Sequence, residues 1–216
     1  MDFVLSFNLF LLAVLSIVIH EWSHGFVSFL RGDPTAKILG RLSLNPLKHI
    51  DPFGTIILPI GLYLISGFAF GWAKPVPIDS RYFKHQRTDM ILVALAGPFS
   101  NFLLACLGVY CYLNNFFPKE LMIFFIHFNL ILGLFNLIPI PPLDGGRVLG
   151  AILPKSFEHF WHNVEKIGLL IIFGILFLIP YIEKLINREI FSLQAFLFKM
   201  RTLVLELIYS FFGRIT

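Results

Sequence analysis

The chain has 216 residues, of which 57% are hydrophobic and only 14% charged, with 17 Lys and Arg against 13 Asp and Glu. A mean hydropathy of +0.80, with about half the usual soluble share of charge, excludes an ordinary soluble domain and predicts a polytopic membrane protein. The small basic excess bears on loop orientation, and nothing points to a nucleic-acid partner.

Apolar residues run from Phe3 to Ile19 and resume with Gly25-Phe26-Val27-Ser28-Phe29-Leu30, enough for a bilayer core, which takes roughly 20 residues. A cleaved signal peptide would start with a short basic region, whereas this one has Asp2 and runs straight into histidines, so the first segment is expected to be retained. Within it lies His20-Glu21-Trp22-Ser23-His24. Two histidines four apart project from one helix face and can reach one metal ion, while Glu21, to their side, is placed to take a proton from water without becoming a ligand. The competing reading is a buried polar cluster. Ionisable groups are expensive in a spanning helix, and that cost favours a functional one.

Arg31-Gly32-Asp33-Pro34 breaks the helix, and Thr35 to Asp51 reads as an ordered polar loop or short hairpin with turns at Asn45-Pro46 and Asp51-Pro52. Phe53 to Phe70 is apolar but holds Gly54, Pro59, Gly61 and Gly67, so it is either a broken span or a re-entrant hairpin. Gly71 to Thr88 is a basic loop punctuated by proline.

Met90 to Leu113 is a clean span containing Ala96-Gly97-Pro98-Phe99-Ser100-Asn101, where Gly and Pro permit close packing and Asn101 needs an internal partner. Cys106 and Cys111 in it read as small core residues on different helix faces. Leu121 to Ile138 is the next span and carries His127, read as a satisfied interior histidine, and Asn129. Pro139, Pro141 and Pro142 then stop the helix, and Gly145-Gly146 lets backbone pass close to something. Ile167 to Ile182 is a further apolar run. From Ile190 onward Ser192, Ala195, Lys199, Thr202, Glu206, Ser210 and Gly213 draw a weakly polar stripe, predicting an interfacial or protein-packed helix. The expected fold is an all-α polytopic membrane protein, a bundle of about four to six transmembrane or re-entrant helical segments with a short hairpin or loop region after the first.

A catalytic zinc commonly takes three protein ligands and leaves a position for water, so two histidines require one more. Asp144, at the end of an apolar segment in a Pro- and Gly-shaped turn, is the candidate; locally, a helix N-cap explains it equally well. The combination of His20-Glu21-Trp22-Ser23-His24, Ala96 through Asn101, and Asn136 through Leu143-Asp144-Gly145 resembles the site-2 protease family of intramembrane zinc metalloproteases, in a compact form without a PDZ domain. The resemblance implies that His20, His24 and Asp144 bind one Zn2+, that Glu21 is the general base, and that Asn136 helps to hold substrate or the oxyanion. It implies an endopeptidase acting within or near transmembrane segments of membrane-protein substrates, with residues 1–154 as the catalytic membrane core and 155–216 as C-terminal membrane helices. A metal-ion transporter and a catalytically inactive scaffold are the alternatives.

The metal also constrains topology. His20 lies about 25 Å along the first helix at about 1.5 Å per residue, and Asp144 must reach the same depth, which a re-entrant Phe53–Phe70 permits and a full span does not. Arg31, Lys37, Arg41, Lys48, Lys74, Arg81, Lys84 and Arg87 flank that segment, against Lys119 alone between Asn114 and Glu120. The positive-inside rule makes the former side cytoplasmic, which puts the site nearer that face of what is expected to be a bacterial plasma membrane.

Overall fold

In the computed structural model, residues 3–66, 71–186 and 193–212 are described. Asp2, Gly67, Ser192 and Gly213, on which some of the sequence expectations rest, lie outside them. The described residues form helices and no strands, in two compact units, residues 1–97 and 98–216. The chain is an all-α multi-pass membrane protein, with Phe3–Leu30, Gln86–Leu113, Lys119–Asn136 and His159–Glu183 long and apolar enough to cross a bilayer.

The first unit is built around helix α1 (Phe3–Leu30). It stops where Gly32 takes a φ of +106°, open to residues without a Cβ. Gly32 N–H bonds to Phe29 O and Asp33 N–H to Ser28 O, the paired contacts that close a helix C-terminus. The buried Asp33 carboxylate then ties three segments together, accepting from Ser28 Oγ, Thr35 N–H at the start of α2 (Thr35–Ile38) and Asp79 N–H.

The Asp51 side chain accepts from Phe53 N–H and Gly54 N–H and starts a helical segment, a π turn over Pro52–Ile57 running into α3 (Leu58–Ser66). Its 15 residues rise about 22 Å, short of the roughly 30 Å hydrocarbon core. The chain is then back at its entry point, with Trp72 N–H bonded to Gly54 O at 3.0 Å and Thr55 Oγ1 to Trp72 O at 2.9 Å. The described residues on either side of 67–70 are thus adjacent, as the hairpin reading of Phe53–Phe70 requires. Arg31, pairing with Asp89 through Nε at 2.7 Å, ties the end of α1 to the beginning of α4 (Gln86–Leu113).

The second unit holds the remainder of α4, then α5 (Lys119–Asn136), α6 (Asp144–Ile152), α7 (Glu158–Phe173), which continues through a π turn into α8 (Ile179–Ile186), and α9 (Leu193–Phe212). Its core is Ala105 and Val109 of α4 with Ile126 and Leu130 of α5, covered by Val204, Leu205, Ile208, Tyr209 and Phe212. The last helix is therefore packed on protein. Asn101 finds its partner, donating to Asn129 Oδ1 at 2.9 Å, and Asn129 in turn donates to Phe125 O. His127 departs from expectation, because its buried Nδ1 has no hydrogen-bond partner among the described residues.

Candidate metal centre

His20 and His24 sit one turn apart on α1, 5% and 3% exposed, with their rings edge to face at 4.7 Å between centroids and their Nε2 atoms 3.1 Å apart. His24 Nδ1 lies 2.7 Å from Val93 O on α4. A carbonyl can only accept, so the proton is on Nδ1 and the His24 Nε2 lone pair is left for a ligand bond. Gly97, one turn beyond Val93, makes room: a Cβ there would lie 2.3 Å from His24 Nε2 and 2.6 Å from His20 Cε1. Glu21, half-buried beside the pair, accepts a 3.0 Å hydrogen bond on Oε2 from Val76 N–H.

In the second unit, Leu143 occupies the cap position of α6 and Asp144 its first helical position. The capping role that the sequence left open for Asp144 is not the one observed. Asp144 is buried, with Oδ1 3.7 Å from Arg147 Nη1. The glycines after it fold the turn upon itself, since a Cβ on Gly145 would come within 2.2 Å of Leu137 O and one on Gly146 within 2.5 Å of Pro141 N. Asn136 ends α5 and donates one amide N–H to Leu132 O at 3.0 Å. Thus His20, Glu21 and His24 lie together in the first unit, and Asn136 and Asp144 belong to the second.

Sequence reasoning missed two contributors, the Val93 carbonyl and the Val76 N–H, because a backbone group carries no residue-type signal. It treated Gly97 as a packing glycine without seeing that the histidines are what it packs against.

A sequence profile described as Peptidase family M50 matches residues 114–179. YwhC of Bacillus subtilis (strain 168), named as a candidate zinc metalloprotease, is 40% identical over 179 residues, covering 77% of this chain and 78% of its own. The chain belongs to peptidase family M50, the site-2 protease family. Rip2 of Mycolicibacterium smegmatis, likewise a candidate zinc metalloprotease by name, is 28% identical over 190 residues, 86% of this chain and 70% of its own. Zinc metalloprotease MJ0392 of Methanocaldococcus jannaschii is 31% identical over 156 residues, 70% of this chain and 36% of its own. No solved structure gives a significant match.

This M50 member is accordingly a zinc metalloprotease, and the transporter and inactive-scaffold alternatives give way. The histidine pair fits the ion. Two nitrogens about 2.05 Å from a tetrahedral zinc stand about 3.3 Å apart, close to the 3.1 Å observed between the Nε2 atoms. The carbonyl on His24 Nδ1 fixes the tautomer that a ligating imidazole needs.

Proposed function

We propose that this M50 protease is an intramembrane endopeptidase, hydrolysing peptide bonds within or near the transmembrane segments of membrane-protein substrates in regulated proteolysis. The observation that carries the reading is a buried, convergent histidine pair with its adjacent carboxylate on a 28-residue helix whose most apolar 18-residue stretch has a mean hydropathy of 2.4. Chemistry confined to that helix reaches substrates in the bilayer.

In this reading His20, His24 and Asp144 hold Zn2+, and residues 1–154 form the catalytic core, with 155–216 as accessory membrane helices. When bound, zinc supplies a Lewis acid that lowers the pKa of water toward about 7 and polarises a carbonyl. Glu21 accepts the proton of the attacking water and passes it to the leaving amine. Asn136 has a second amide N–H beyond the one given to Leu132 O, and it donates to the developing oxyanion. A helical substrate has its carbonyls tied up in hydrogen bonds, so it must unwind before attack. The basic residues flanking the hairpin support a site nearer the cytoplasmic face of a bacterial plasma membrane.

Glu21→Gln tests the reading, because the amide cannot accept a proton while the ligands survive. Co-expression with a single-span reporter should show cleavage abolished, and the purified variant should retain zinc. Undiminished cleavage would remove Glu21 from the mechanism.

A further inference from the structure

The segment Lys74-Pro75-Val76-Pro77 runs past the C-terminal third of α1, at Glu21 and Gly25. Residues that precede proline are restricted to extended backbone, and proline itself has no N–H. Lys74 and Val76 both precede proline, so across residues 75–77 the chain is stiff and presents a single N–H. That N–H, from Val76, is the one bonded to Glu21 Oε2 at 3.0 Å.

The neighbours of this segment fix it. Arg41 Nη2 donates to Lys74 O at 2.9 Å and Pro75 O at 3.1 Å. Lys74 N–H is held by His49 O at 2.8 Å, and Asp79 N–H by Asp33 Oδ2 at 2.8 Å. The Val76 side chain is buried over Gly25, one turn from Glu21; a Cβ on Gly25 would lie 2.9 Å from Val76 Cγ1. A glycine notch on the helix thus lets the segment come close enough for its amide to reach the carboxylate.

We propose that the Val76 backbone amide, presented by Pro75-Val76-Pro77 and held in place by Arg41, positions the Glu21 carboxylate for proton transfer. The proposal rests on Glu21 being the general base. A glutamate has three side-chain torsions to order, and a donor fixed on Oε2 restricts them while leaving Oε1 to accept a proton. Arg41 and Val76 are positioning residues, acting through Glu21 without touching substrate.

The test uses the full chain purified in detergent, a single-span reporter substrate, and three readouts: kcat, KM and bound zinc. Val76→Pro deletes the N–H and Val76→Ala retains it. Val76→Pro should lower kcat about 10- to 100-fold relative to Val76→Ala, the span expected for one hydrogen bond to a charged group, with KM and zinc content unchanged. Arg41→Ala should lower kcat about threefold to tenfold on the same pattern, with partial recovery in Arg41→Lys. Equal kcat in Val76→Pro and Val76→Ala, or a loss confined to zinc or KM, overturns the proposal. If Val76→Pro does not fold, an unchanged kcat in Arg41→Ala overturns it. Glu21→Gln, run in parallel, separates the two failures: if it cleaves normally, the base assignment itself is wrong, whatever Val76 does.

Discussion

Gly97 shows how closely the histidine pair is packed. Gly97→Ala would place a methyl group 2.3 Å from His24 Nε2, so the variant should lose stoichiometric zinc, read by elemental analysis, while the helical content seen by circular dichroism is kept. Asp144→Asn should lower zinc and activity together, whereas Asn136→Ala should keep zinc and lower the rate about 100- to 1,000-fold, as loss of one oxyanion donor does. Full zinc and activity in Asp144→Asn would remove that carboxylate from the ligand set. His20, Glu21 and His24 were legible in the sequence because their chemistry resides in side chains repeating at a helical period. Asp144 was only half legible, since a carboxylate at a helix start serves a cap as well as an ion, and the observed cap position, Leu143, becomes known only once the turn is built.

Among the elements, a break in the apolar segment after Pro52 was announced by its helix-weakening glycines and proline, but the contact that brings Trp72 back to Gly54 was not. Closure depends on Gly54 lying under the Trp72 indole, where a Cβ would meet Nε1 at 2.2 Å. No local pattern encodes a contact between residues 18 positions apart. Because the segment returns to its point of entry, cysteines substituted for Lys48 and Lys84 should share one side. In a background lacking Cys106 and Cys111, a membrane-impermeant maleimide should label both or neither in intact cells. Labelling of one alone would mean a full crossing. The polar stripe on the last helix was visible in sequence, but two charges near its middle could equally have faced headgroups; the core of Ala105, Val109, Ile126 and Leu130 decides for protein.

Across the whole molecule, hydropathy predicted the membrane bundle because burial in lipid imposes long apolar helices regardless of detail. Polar hubs such as Asp33 went unread. Burial pushes the Asp33 carboxyl up, but hydrogen bonds from Thr35, the Asp79 N–H and Ser28 outweigh it and hold the group below its ordinary 3.8. A carboxyl lowered in the folded state adds stability above its unfolded pKa and loses it as pH falls through the folded value. Thermal unfolding in detergent should therefore show Asp33→Asn less stable than wild type at pH about 7, with the gap closing below pH about 4. A constant gap across that range would mean that the charge of Asp33 is immaterial. The site has a further property at this scale, since two of the groups that frame it, Val93 C=O and Val76 N–H, belong to the main chain. An alanine scan exchanges side chains and passes over both, so such a scan will report a sparser site than exists. The Val76 member comes to light directly through proline at position 76, which removes its N–H, and indirectly through Arg41→Ala, while an added Cβ at Gly25 or Gly97 crowds the helix face that both groups meet.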